Sequence, residues 1–139
     1  MPESNTNSTV PHNYISFEDL LMNRHWEYPI DEAMAVNMAR VWFRLNKLIS
    51  QYPVELKGPR VASGYRPGHY NAQAGGAAKS THLTCEAVDV RDPGNGLDQW
   101  IDANPVKLAE CELWREAPEA TNGWVHLDIR PRKSRTFNP

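Results

Sequence analysis

Ser80-Thr81-His82-Leu83-Thr84-Cys85-Glu86-Ala87-Val88-Asp89-Val90-Arg91 is the stretch on which the fold turns, and Trp124-Val125-His126-Leu127-Asp128-Ile129 is its counterpart. Residues 86–91 alternate in character. A strand there places Ala87 and Asp89 on one face and Val88 and Val90 on the other, because strand side chains alternate with period two. The second stretch repeats the pattern, with Val125, Leu127 and Ile129 directed to a core and Trp124, His126 and Asp128 to the other side. Two strands thus each present His or Asp groups away from the core. His82, Asp89 and His126 together make two imidazoles and one carboxylate, the ligand set of a catalytic zinc that leaves a fourth position for water.

Outward from these strands the chain reads helix first and sheet later, the pattern of an α+β domain with N-terminal helices packed on a small antiparallel sheet. Ser16 followed by Asp19 is a capping-box variant that opens a short helix through Leu20, Leu21 and Met22. Asp31 caps a better helix, in which Met34, Met38, Val41, Leu45 and Leu48 recur at helical spacing until Pro53 stops it. Past Pro53 the pattern predicts short strands at 54–57 and 60–62 and a glycine-containing loop without periodicity over 64–78. It then predicts a strand at 86–91, a short helix at 97–103 and a last pair of strands at 112–115 and 124–130. A structureless loop of that length in a compact domain is usually functional. Residues 1–14 read as a flexible or partner-ordered arm, 15–130 as the single domain and 131–139 as a tail whose Arg132, Lys133 and Arg135 form a solvated basic cluster.

The 139 residues suffice for one core and not for two. With 15 basic and 17 acidic side chains the net charge of −2 leaves no footprint for gripping nucleic acid. No apolar run approaches the ~20 residues of a membrane span, and the polar N-terminal stretch does not read as a secretory signal. No nucleic-acid or membrane partner is expected. The two cysteines, Cys85 and Cys111, lack the spacing of a thiolate zinc site or redox pair, so a metal would need His and carboxylate ligands. Cys111 reads as a small buried hydrophobe. His12 and His25 are expected at the surface, and His69 lies in the glycine loop. Trp26, Trp42, Trp100 and Trp114 read as core or wall, and Tyr65 and Tyr70 flank the loop.

Ser80-x-His82-x-x-Cys85-x-Ala87-x-Asp89 resembles the S-x-H-x-x-G-x-A-x-D signature of the zinc D-alanyl-D-alanine peptidases, a family that shares its fold with the hedgehog signalling domain. Ser63-Gly64-Tyr65-Arg66-Pro67 is similar to that family's S-G-Y-R segment, and Trp124-Val125-His126 to its closing W-x-H strand. The resemblance spans about half the chain, from Val61 to Asp128, with three linked motifs in the same order. It implies His82, Asp89 and His126 as zinc ligands and Arg66 facing a substrate carboxylate. It also implies cleavage of a peptide bond in bacterial cell-wall peptides, as carboxypeptidase, dipeptidase or phage L-alanyl-D-glutamate endolysin. A guanidinium fork at the lip of the loop suits a clamp on a terminal carboxylate. Ser80 suits a hydrogen bond to a ligand or a turn cap, and Trp124 a substrate contact or a cleft wall.

The chain departs from the family pattern twice. Gly123 stands three residues before His126, where many relatives carry the catalytic Glu or Asp. Asp128 is the best substitute, since it shares a strand face with His126; its other reading is an orienting partner or a salt bridge. Glu116 and Glu119 are weaker candidates. Cys85 stands where relatives have Gly, a thiol that is either a bystander or an adventitious fourth ligand. The expected function is therefore zinc-dependent hydrolysis in peptidoglycan stem peptides. The alternative, favoured by Gly123, is a non-hydrolytic zinc domain with a structural or adhesive role, for instance in a phage particle where the terminal arms meet neighbours or a second copy. The expected location is cytoplasmic, or phage-encoded and released at lysis or carried in the virion.

Overall fold

The computed structural model describes residues 12–75 and 79–139. Most of the arm, residues 1–11, and residues 76–78 of the glycine loop lie outside the described residues. Helix α1 (Phe17–Leu21) opens as the sequence predicts, with Ser16 Oγ accepting from the Asp19 amide at 3.0 Å, and Met22 closes it in the left-handed region. Asp31 Oδ1 accepts from the Met34 amide at 2.8 Å and starts α2 (Glu32–Ile49), whose stripe Met38, Val41, Leu45 and Leu48 is fully buried. These side chains share one core with Val88, Val90, Val125 and Leu127, so the helix covers the apolar face of the sheet and leaves the polar face clear.

The sheet has five strands in the order β1-β2-β4-β3-β5. They are β1 (Val61–Ser63), β2 (Ala87–Arg91), β3 (Trp114–Glu116), β4 (Trp124–Asp128) and β5 (Thr136–Phe137). The first four pair antiparallel; β5 adds to β3 in parallel, with Arg115 opposite Thr136 and Glu116 opposite Phe137. The β2–β4 register sets Asp89 directly opposite His126 and Ala87 opposite Asp128. That register brings the two polar faces read from the sequence into one.

Several expectations are corrected. Residues 54–57 form no strand; the segment is held from outside, by Asn13 Nδ2 donating to the Val54 carbonyl at 2.8 Å and the Leu56 amide donating to Asn13 Oδ1 at 2.8 Å. Asn13, read as part of the arm, is thus buried in the fold. The region 64–78 is not structureless, because α3 (Gly68–Gln73) follows Pro67, which presets the backbone for a helical start. Helix α4 (Gly96–Ala103) is close to its predicted bounds, while α5 (Val106–Glu110) takes up residues before the third strand, which begins at Trp114 rather than at residue 112. The strand predicted over 124–130 ends at Asp128. The tail is no solvated end: Arg115 N–H donates to the Arg135 carbonyl and Ala117 N–H to the Phe137 carbonyl, both at 2.7 Å.

Candidate metal centre

His82, Asp89 and His126 converge, each offering a ligand atom within 4.8 Å of the others. Asp89 comes from the middle of β2 and His126 from the middle of β4, while His82 is carried by the turn that enters β2. All three are at least nine-tenths buried. Asp89 Oδ1 lies 2.8 Å from His126 Nδ1 and 3.3 Å from His82 Nε2.

The second nitrogen of each ring is committed elsewhere, which decides what the first can do. His82 Nδ1–H donates to the Gly64 carbonyl at 2.9 Å, because a carbonyl can only accept. His126 Nε2–H donates to Asp128 Oδ2 at 2.8 Å. His82 Nε2 and His126 Nδ1 are therefore the atoms turned toward Asp89, and once His126 Nδ1 gives up its proton all three groups face one another as acceptors, an arrangement that suits a cation between them. The donor set fits a metal: two imidazoles with their tautomers set from behind, one carboxylate, and no fourth protein ligand among the described residues. Burial alone would raise the Asp89 carboxyl, but the imidazoles of His126 and His82 set against it outweigh that and hold the group well below the usual carboxylate range. Burial alone would lower His126; the carboxylates of Asp128 and Asp89 overcome it and raise the imidazole to about 9.

The group opens into a cleft of about 490 Å³ whose walls include Arg66, Ser80, Glu116 and Trp124. The Arg66 amide donates to the His82 carbonyl at 3.1 Å, which ties the arginine to the metal-side turn. Its guanidinium hydrogen-bonds to neutral groups among the described residues: Nε donates to Asn71 Oδ1 at 3.0 Å and Nη2 to Ser80 Oγ at 3.4 Å. Ser80 Oγ also accepts from the His82 amide at 3.2 Å, so one hydroxyl links clamp and ligand. Trp124 is partly exposed at the mouth. Lys79, Arg130 and Arg132 also line the cleft, Arg130 paired with Glu86 at 2.7 Å and Arg132 with Asp128.

Asp128 lies beside His126, as strand alternation predicts, but behind the ring. It has no exposed surface, and both oxygens are taken, Oδ2 by His126 and Oδ1 by Arg132 Nη1 at 2.5 Å. Glu116, at the end of β3, reaches the cleft, and its carboxyl takes no hydrogen bond or ion pair among the described residues. Burial pushes its carboxyl above the usual range, Asp89 and Asp128 add to that, and the nearby imidazoles oppose it. Glu119 is exposed and does not line the cleft. Gly123 is turned at φ 92° with its amide on Asn95 Oδ1, and it brings nothing to the cleft.

Cys85 is not a fourth ligand: it is wholly buried among apolar side chains, and burial pushes its thiol to about 12. Its φ of 62° accounts for glycine in the resembling motif. Cys111 is buried as expected. His12, His25 and His69 stay outside the group, with His25 against Trp26 at 4.5 Å and His69 against Tyr70 at 5.4 Å between ring centroids. Tyr65 is buried, its hydroxyl donating to the Tyr28 carbonyl at 2.9 Å. Sequence reasoning missed Gly64 as the group that orients His82, and it missed Arg132 and Phe137. Only Gly64 carried a signal, within Ser63-Gly64-Tyr65-Arg66.

No helix among the described residues is long and apolar enough to cross a membrane. A family model described as Peptidase M15 matches residues 14–128, well over half the chain. Searches of curated proteins and of solved structures found no match.

Proposed function

The chain belongs to the zinc-dependent peptidase M15 family, and from that premise we propose that it hydrolyses a peptide bond in bacterial peptidoglycan stem peptides, as a carboxypeptidase or endopeptidase. The observation that carries this reading is the convergence of His82, Asp89 and His126 at the floor of an open cleft, each imidazole oriented by an acceptor on its far side. Zinc held by the three would polarise a scissile carbonyl and bring the pKa of a water toward about 7.

The chain's own groups supply the rest. Arg66 is held at the cleft by Asn71 and Ser80 without a carboxylate partner among the described residues, which supports a clamp on a substrate carboxylate. Lys79 also lines the cleft and favours a peptide that bears a further carboxylate, while Arg130 and Arg132 are already paired with Glu86 and Asp128. Ser80 keeps Arg66 and His82 in register, and Trp124 walls the mouth. For proton transfer the choice lies between Asp128 and Glu116. The saturated hydrogen bonding of Asp128 supports the orienting role, whereas Glu116, a cleft carboxylate without a partner among the described residues, can take a proton and return it to a leaving amine. We assign proton transfer to Glu116.

Zinc-loaded protein incubated with purified peptidoglycan and synthetic stem peptides, read by mass spectrometry, tests the reading. Cleavage is expected, with Glu116→Gln lowering kcat by about 10²–10⁴-fold while zinc is retained. Gly123, which leaves the usual acid position empty, is the observation favouring a non-hydrolytic zinc domain. Zinc-loaded wild type without turnover on any of these substrates selects that second reading.

A further inference from the structure

The family match ends at residue 128, yet the chain beyond it returns to the metal centre. After β4 it turns, runs as β5 beside β3, and brings the Phe137 ring edge-on to His126, 6.2 Å between centroids at 86°. Arg132 lies between the two ends of this return. Its guanidinium sits 3.7 Å above the Phe137 ring, and its Nη1 donates to Asp128 Oδ1 at 2.5 Å and to the Arg130 carbonyl at 3.2 Å.

Asp128 is fully buried, and a buried carboxylate needs partners on both oxygens. His126 serves one oxygen. Once a metal takes the other nitrogen of that ring, the imidazole is neutral and Arg132 is the positive partner left to Asp128 among the described residues. The stack on Phe137 holds the guanidinium in place. The Arg132 hydrogen bond in turn decides which oxygen of Asp128 faces His126 Nε2–H. Two of the three members of this relay lie in the segment outside the family match.

We infer that Arg132, clamped between Phe137 and Asp128 by the C-terminal strap, is a positioning residue of the metal centre: it fixes Asp128 so that His126 presents Nδ1 to the metal. The inference rests on His82, Asp89 and His126 being the metal-binding group. Zinc affinity of the full chain, measured by competition with a chromophoric chelator, tests it for wild type, Arg132→Met, Arg132→Gln and Arg132→Lys. Partners behind a ligand typically govern about 10–100-fold in metal affinity, so Arg132→Met and Arg132→Gln are expected to lose that much and Arg132→Lys to recover part of it.

A second readout separates positioning from general weakening. In the zinc-loaded wild type the His126 Nε2–H proton resonates at low field because it donates to a carboxylate; in the Met and Gln variants it moves upfield. Wild-type affinity with an unmoved resonance in either folded variant overturns the inference. Collapse of both zinc-free variants, seen by circular dichroism, assigns Arg132 to the fold and overturns it as well. Wild type that takes up no zinc removes instead the metal assignment on which it rests.

Discussion

A proton and a metal compete for Nδ1 of His126. The ring is raised to about 9 from its ordinary 6.5 by two carboxylates, so in the zinc-free protein it carries both protons at neutral pH. A raised histidine contributes its stabilisation in full below 6.5 and loses it as pH climbs to about 9, so the zinc-free thermal midpoint should fall through that window. Zinc affinity should climb through the same window, by up to about tenfold per pH unit because one proton leaves; chelator competition at several pH values checks both slopes. Cys85 makes the opposite point about chemistry at a single residue. A thiol close in sequence to a ligand faces the core, with its pKa pushed to about 12. Neither it nor the buried Cys111 should be alkylated by iodoacetamide in the native protein at pH 8, and both should react on unfolding; peptide mapping distinguishes the two states.

Between elements, the metal centre depends on how closely α1 approaches the end of β1. A Cβ on Gly64 would stand 2.0 Å from the Leu20 carbonyl oxygen, a backbone atom that cannot yield without moving the helix. The Gly64 carbonyl is also the acceptor that sets the His82 tautomer. Gly64→Ala should therefore cost about 1–3 kcal/mol or more in stability and weaken zinc binding together. Asp31→Ala, which removes only the cap of α2, should cost about 1 kcal/mol and leave zinc affinity unchanged. Denaturant melts beside chelator competition read the contrast. Helix α2 was legible because eighteen residues repeat one apolar stripe between a cap and a proline. Helices α3 and α5, of six and five residues, were not. One turn or so of helix carries too little periodicity to register, and neighbours rather than propensity hold it.

Across the molecule, ion pairs centred on the buried Arg115 fasten α4 to the strand that bears Glu116. Arg115 of β3 reaches Asp98 and Asp102 of α4 at 3.1 and 2.6 Å and Thr136 of β5 at 3.1 Å. Burial raises the Asp98 carboxyl from 3.8 to about 6, with Arg115 opposing and Asp92 adding. The unfolded chain then releases its proton first, so stability should fall as pH rises from 3.8 to about 6 and level off above. Asp98→Asn should flatten that part of the curve; thermal melts from pH 3.5 to 7 check it. The sequence by itself determined which strand faces are apolar, that the second helix covers them, and which His and Asp side chains share the opposite face, because period two and period 3.6 are local properties of the chain. Tertiary structure alone decided which nitrogen of each imidazole is turned inward, that Asp128 is enclosed while Glu116 is open, and that Phe137 returns to His126. Those outcomes depend on register between segments tens of residues apart, and on carbonyls and guanidinium groups whose direction no local pattern encodes.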